Sequence, residues 1–138
     1  PLYFTIDLGV EATLSRFKLW HRLGNNVYKN HNIKTFEVWG SRNYKKGMQE
    51  NYWSEEWKND WELLGDYETF KPSGEDNPSV TNEDIAYAEA GFEFMVPIEK
   101  QRVRYVRFAM KSNWSGSNAL HISEITFYGD DRINDINE

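Results

Sequence analysis

The sequence predicts an all-β domain, an antiparallel β-sandwich or jelly roll with one short helix. Apolar and polar residues alternate along most of the apolar segments, which is the pattern of strands with one face in a core. The connections between these segments are rich in Asn, Ser, Gly and Asp, which favour turns. Several strands, irregular loops and a single helical stretch are typical of a sandwich.

Seven segments carry the strand pattern: 3–9, 13–22, 33–40, 61–70, 92–98, 103–110 and 121–129. The second segment shows it most clearly, because Phe17, Leu19 and His21 share one face while Lys18 and Trp20 share the other. From this alternation we expect eight side chains to be largely buried: Phe17, Leu19, Phe36, Val38, Tyr105, Phe108, Ile125 and Phe127.

One helix is predicted, at residues 81–91. Thr81 can cap its first turn, and Asp84 follows three residues later as in a capping box. Gly91 supplies the stop signal.

Length and composition predict one folded domain. A chain of 138 residues with 39% hydrophobic and 16% aromatic residues can bury a substantial core. We place the domain at residues 1–129 and an acidic C-terminal tail at residues 130–138. The first residues enter a strand pattern at once, without an initiator Met or a signal segment, so we expect a piece of a longer protein that lacks its N-terminal segment.

Several function classes are disfavoured. The net charge of −6 and the lack of a basic run argue against nucleic acid as a partner. No apolar run is long enough for a membrane span, and without Cys there is no disulfide or thiolate chemistry. The usual catalytic motifs are missing, so we expect no enzyme activity, although 22 acidic residues leave open a glycosidase pair distant in sequence.

Aromatic and histidine residues are the candidates for recognition. Trp114 lies among small polar residues that favour a turn, where an indole is either a lid on the core or a surface for a ligand. His21, His31 and His121 lack metal-ligand spacing, and an ordinary structural role is favoured for each of them singly. Together they lie near strand ends, where a sandwich displays binding residues. We expect Trp61 in the core, and Trp53 and Trp57 packed over a sandwich edge.

Five sequence blocks in a fixed order resemble a known family. They are "YFTIDLG", "LSRFKLWHR", "IKTFEVWGS", "VRYVRFAMKS" and "HISEITFYG". The chain resembles the discoidin, or coagulation factor 5/8 C-type, domain. The residues of its blocks are most similar to those in C-terminal domains of envelope lipoproteins from Bacteroidetes. The resemblance implies a galactose-binding-like jelly roll that is usually non-catalytic and holds a glycan in loops at one end. The family's leading segment lies before Pro1, and its common disulfide is absent.

The resemblance also implies site residues. Arg22, Asn30 and Trp114 occupy the places where glycan-binding relatives carry an Arg, an Asn and an aromatic residue. Because this loop is longer and richer in Asn than in many relatives, His31 or Asn32 are alternatives to Asn30. Asn118, in the same turn as Trp114, completes the candidate set of ligand-binding residues.

A structural calcium ion is a further expectation. Glu124 matches a Glu found beside calcium in relatives, but it can equally be a strand Glu that bonds to a loop.

The predicted function is therefore that of a non-catalytic carbohydrate-binding module. We expect a monomeric domain of a secreted or cell-envelope protein whose partner is a glycan or a cell-surface polysaccharide. Two alternatives remain: a protein-interaction or spacer domain without a small ligand, and an accessory domain of a glycoside hydrolase.

Overall fold

The computed structural model describes residues 2–44 and 54–132. Its strands are β1 (Leu2–Trp20), β2 (Ile33–Ser41), β3 (Glu62–Glu68), β4 (Phe92–Met95), β5 (Val103–Asn113) and β6 (Glu124–Asp130), and its one α-helix is α1 (Asn82–Ala90). Short 3-10 turns lie at Gly24–Asn26 and Glu56–Asn59. The predicted all-β class with one short helix is confirmed.

The first two predicted strands form one long strand, β1, which takes part in both layers. Its first part, from Leu2 to Asp7, pairs antiparallel with β5, in a sheet ordered β3-β2-β5-β1. Its second part, from Thr13 to Trp20, pairs antiparallel with β6 and in part with β4. The pairing register shifts between the two parts, where Gly9 adopts a positive φ of 79°. Such a bend interrupts the alternation of the sequence, which is why the sequence predicts two strands where the structure has one.

Most of the predicted core is confirmed. Five of the eight predicted side chains are buried: Phe17, Leu19, Phe36, Val38 and Phe108. Ile125 and Phe127 are partly exposed and pack against the core from β6. Tyr105 is also partly exposed, and its ring packs against Tyr44 with centroids 5.3 Å apart. Tyr105 lies three residues before Phe108 in an unbroken ladder, so its side chain is on the opposite face of β5 and its predicted core position is wrong. For the other seven residues alternation gives the face correctly, but it does not show how completely that face is covered.

Helix α1 has the predicted caps. The Thr81 side chain accepts from the Asp84 amide, the Asp84 side chain accepts from the Thr81 amide, and Gly91 is the C-cap. Gly91 has a φ of 88°, and a Cβ there would lie 2.6 Å from the Trp20 ring. Only glycine fits this position without a shift of the helix or the indole.

The tryptophans around Arg107 pack against the protein itself. The buried Arg107 guanidinium lies 4.7 Å from the ring centroid of Trp57 and 4.3 Å from that of Trp61. Trp61 is buried as predicted, but it packs with Tyr44 and Trp57 on the face of β5 that carries Arg107, away from the core cluster. Trp57 packs against the protein as predicted, but its ring contacts Tyr3 of β1 and Trp39 of β2, so it covers a sheet face and not an edge. Trp53 lies outside the described residues. Among the described residues, no helix has the length and apolar character needed to cross a membrane.

Candidate functional site

Three loops meet at one end of the sandwich: the loop after β1 (21–32), the connection between β3 and α1 (69–81), and the loop after β5 (114–123). The Tyr28 hydroxyl donates to the Phe70 carbonyl at 2.7 Å, which ties the first loop to the second. The Trp114 amide donates to the Asn32 carbonyl at 3.0 Å, which ties the third loop to the first. The loops therefore form one connected surface.

Trp114 is half-buried and is held from several sides. Its Nε1 donates to Thr69 Oγ1 at 2.9 Å, and its ring meets the Tyr28 ring edge to face, with centroids 5.1 Å apart. The Lys34 ammonium lies 4.9 Å from the indole centroid. The indole also packs against the hydrophobic core. Trp114 therefore covers part of the core, which is one of the two predicted alternatives, and its remaining part is accessible. Its role as a surface for a ligand stays a prediction.

The accessible part of Trp114 lines a cavity of about 430 Å³, which we call the Trp114 cavity. Its other lining residues come from all three loops: Tyr28, Lys29, Asn30, Lys71, Glu75, Asp76, Asn77, Pro78, Val80 and Ser115. Asn30 adopts a left-handed conformation with a φ of 56°, and its Nδ2 donates to Asn26 Oδ1 at 2.6 Å. One aromatic plane, amides and charged groups of both signs therefore surround the same space.

One wall of the cavity is built around a buried ammonium group. Lys71 is 5% exposed, and its Nζ donates to the carbonyls of Asn77 at 2.5 Å and Ser79 at 2.8 Å. Asp84 Oδ2 lies 4.0 Å from the same Nζ. Desolvation acts to raise the pKa of Asp84, but hydrogen bonds from Ser73 and Thr81 outweigh it and lower the pKa to about 2. The buried pair fixes the segment that carries Asn77 and Pro78.

Beside the cavity, Arg22, His31 and His121 form a second group, which we call the basic cluster. Arg22 Nη1 lies 3.4 Å from His121 Nδ1, and the rings of His31 and His121 meet edge to face, with centroids 4.8 Å apart. The His121 amide donates to the His31 carbonyl at 2.8 Å. Desolvation lowers the pKa of His121, and the charges of Arg22 and His31 lower it further. The structure thus brings Arg22 and His31 together, whereas Asn30 and Trp114 line the neighbouring cavity.

Asn32 connects the two groups from a buried position. Its Oδ1 accepts from the Arg22 amide at 2.8 Å, and its Nδ2 donates to the carbonyls of Arg22 at 3.2 Å and Asn26 at 2.7 Å. The side chain is 1% exposed and its amide is fully used. Direct contact of Asn32 with a ligand, as the sequence predicts, does not fit this burial, and its geometry is that of a positioning residue.

His21 has the ordinary structural role that the sequence favours. Its ring is fully buried, Nε2 lies 3.0 Å from the Ile33 carbonyl, and Nδ1 accepts from the Tyr28 amide at 3.4 Å. Desolvation lowers its pKa to about 4, although the hydrogen bond to Ile33 acts in the opposite direction. The neutral ring holds the start of the first loop against β2.

The remaining predicted residues lie outside both groups. Asn118 is exposed in the loop after β5. Glu124 is exposed and lines a separate apolar cavity of about 460 Å³ with Phe4, Leu120, Ile122, Ser123 and Ile125. Within residues 2–44 and 54–132, no group of three or more His, Cys, Asp or Glu residues is arranged to hold a metal ion. The calcium site at Glu124 stays a prediction.

Some residues of this surface carried no signal in the sequence. Tyr28, Thr69 and Lys71 shape the Trp114 cavity, but they lie in or beside irregular loops, where period and spacing give no direction for a side chain. His121 was a candidate only through its place at a strand end. Its approach to Arg22 depends on the contact between two loops distant in sequence.

Solved structures with a similar fold include a SusE-like protein and domains of chitobiases from Bacteroides species. The SusE-like protein BT2857 superposes with a TM-score of 0.83 at 36% identity, over 94% of this chain and 47% of that one. The C-terminal domain of a chitobiase from Bacteroides fragilis superposes with a TM-score of 0.54 at 18% identity, over 94% of this chain and 64% of that one. The chain thus spans about half the length of the SusE-like protein.

No curated protein matches the sequence. The second likeness shows the fold alone, since its identity is low. A family model, in contrast, matches residues 1–129, nearly the whole chain. The chain therefore belongs to the DUF5000 family, described as a domain of unknown function.

Proposed function

We propose that the chain is a non-catalytic carbohydrate-binding domain that holds a saccharide in the Trp114 cavity. One observation carries the proposal: the cavity combines an accessible indole with fixed polar groups from three loops. A sugar offers an apolar C–H face and a rim of hydroxyls, so it needs an aromatic plane together with a few oriented donors and acceptors. Trp114 supplies the plane, and Asn30 and Ser115 supply polar groups at its edge.

The indole is held in place before a ligand arrives. Its hydrogen bond to Thr69 and its packing on Tyr28 fix the plane of the ring. A fixed plane loses little conformational entropy on binding, which favours affinity. The cavity is open to solvent, so we expect dissociation constants from about 1 µM to about 1 mM.

The relatives support a wider assignment. The relative from Bacteroides fragilis is named as the C-terminal domain of a chitobiase, which agrees with an accessory role beside a sugar-degrading domain. The similarity to a SusE-like protein agrees with a location of this domain at the cell envelope. We therefore extend the proposal to a glycan or surface polysaccharide as partner, a discoidin type of jelly roll, and an extracellular or envelope location.

A glycan array on the isolated domain, with and without a chelator, tests the proposal. Hits are then measured by calorimetry on the wild type, on Trp114→Ala and on Trp39→Ala. Trp39 is a matched control, because it is also half-buried and its Nε1 also bonds a side chain, that of Glu37. We expect only Trp114→Ala to weaken binding, by about 5- to 30-fold. Equal losses in both variants, or an array without hits, contradict the proposal.

An exposed aromatic pair favours a second candidate function, contact with another protein. Phe70 is 56% exposed and Tyr87 is 42% exposed, and their ring centroids lie 5.3 Å apart. Exposed aromatic pairs are frequent at protein interfaces. Phe70→Ser with Tyr87→Ser separates the two functions, because the double change removes a protein contact there while the Trp114 cavity keeps its lining.

A further inference from the structure

The basic cluster is unusual in an acidic chain. The protein has a net charge of −6, yet Arg22, His31 and His121 lie together at its loop end. No ion pair joins any of the three to a carboxylate in the part of the chain that the structure describes. The charged groups that act on His121 are Arg22 and His31, both basic. Glu124, the nearest acid along its own segment, lines a different cavity.

The cluster is held in a fixed arrangement. Both backbone polar groups of Arg22 bond the buried Asn32 side chain, so the base of the Arg22 side chain is anchored. Asn32 and His121 form a parallel bridge between their loops, and the His121 amide bonds the His31 carbonyl. The Arg22 guanidinium itself is exposed. The guanidinium and the two imidazole rings thus lie together on loops that backbone hydrogen bonds hold in place.

We propose that the basic cluster binds an oxyanion carried by the saccharide, so that the ligand of this domain is an acidic glycan. The proposal rests on the proposed function and names its ligand class. The guanidinium presents paired N–H donors that match the two oxygens of a carboxylate or a sulfate. The neutral His121 ring accepts from Arg22 at Nδ1 and can donate through Nε2, and protonation adds a second N–H and a positive charge. Asn32 bonds the backbone amides of both Arg22 and Trp114, so one buried residue anchors the cluster and the indole, and we expect one ligand to reach both.

Binding of the oxyanion is coupled to protonation. In the free protein, desolvation and the charges of Arg22 and His31 oppose a proton on His121. A bound anion offsets these charges and favours the protonated ring. The bound state therefore takes up a proton, and affinity for an acidic sugar rises as the pH falls.

The test compares tetragalacturonate with its carboxyl-reduced derivative, which keeps the sugar ring but lacks the charge. Calorimetry at about pH 5.5 and about pH 7.5 gives the ratio of the two affinities, which is the readout. A sulfated neutral galacto-oligosaccharide distinguishes sulfate from carboxylate as the source of the anion. Two variants change the cluster, His121→Gln and Arg22→Gln. Lys100→Gln is the control, because it removes a positive charge from the connection between β4 and β5.

We expect the wild type to prefer at least one of the two acidic sugars by about tenfold at the lower pH, and by less at the higher pH. His121→Gln removes the pH dependence and Arg22→Gln removes the preference, whereas Lys100→Gln keeps both. Equal binding of acidic and neutral sugars overturns this inference and leaves the proposed function in place. A preference that persists in both cluster variants also overturns it. If none of these sugars binds, the glycan array decides: hits confined to neutral glycans overturn this inference alone, and an array without hits overturns the proposed function as well.

Discussion

Thr69 Oγ1 accepts a hydrogen bond from the Trp114 indole and donates one to the Ile33 carbonyl. This single hydroxyl therefore connects the candidate sugar platform to β2, the strand that runs through the core. Because the hydroxyl bonds only the buried edge of the indole, removing it should affect how Trp114 covers the core more than how it displays a ring face.

Thr69→Val tests this expectation. The change keeps the shape of residue 69 but leaves the buried side of the indole without its acceptor, so we expect a loss of about 1–3 kcal/mol in the free energy of unfolding. Packing on Tyr28 still holds the ring, so glycan affinity is expected to stay within about threefold. Urea unfolding and calorimetry on the same sample measure both quantities. A loss of affinity as large as that of Trp114→Ala contradicts the idea that packing alone is enough to orient the ring.

His21 makes stability depend on pH. Burial lowers its pKa from the ordinary value of 6.5 to about 4 in the folded chain. Between these values the unfolded chain binds a proton that the folded chain does not, so stability is complete above about pH 6.5 and falls by up to about 3 kcal/mol towards pH 4. Asp84 acts in the same direction at lower pH, because its pKa is lowered from 3.8 to about 2. Denaturant unfolding across this range measures the slope.

His21→Gln is the control for this pH dependence, because its amide nitrogen can still donate to the Ile33 carbonyl. We expect the variant to be less stable near neutral pH and to lose most of the slope between pH 6.5 and pH 4. An unchanged slope would assign the pH dependence to other groups.

Lys71→Met tests the buried ammonium in the cavity wall. The change leaves the Asn77 and Ser79 carbonyls without their donor and removes the cation nearest to Asp84, so we expect a loss of about 2–4 kcal/mol in the free energy of unfolding. Lys29→Met removes an exposed lysine from the same cavity and should change stability by less than about 0.5 kcal/mol. Similar losses in the two variants would refute a special role for Lys71.

Gly91→Ala tests the end of α1. The new Cβ meets both an unfavourable φ and the Trp20 ring, whereas Gly74→Ala meets only the unfavourable φ, since open space surrounds Gly74. We expect Gly74→Ala to lower the free energy of unfolding by about 1 kcal/mol and Gly91→Ala by at least about 1 kcal/mol more. Equal effects in thermal unfolding would show that the indole moves away at no cost.

The sequence predicts the layers of this fold better than it predicts the site. Alternation at Phe17 and Leu19 and the caps at Thr81 and Gly91 are local signals, and the structure confirms them. The site depends on which loops approach each other, which no local period encodes. Asn32 is an example. The sequence predicts it to bind a ligand because of its polar amide, but the amide donates to the carbonyl of Asn26 inside the protein.

The course of β1 through both sheets bears on how the domain unfolds. Leu2 to Asp7 is hydrogen-bonded in one layer and Thr13 to Trp20 in the other, within one continuous strand. Neither layer can open without pulling on the strand that completes its partner. Amide protons in β5 and β6 should therefore exchange with solvent through the same global opening, with equal protection free energies, although these two strands share no ladder. Cooperativity in this domain is a property of its covalent connectivity as much as of its packing.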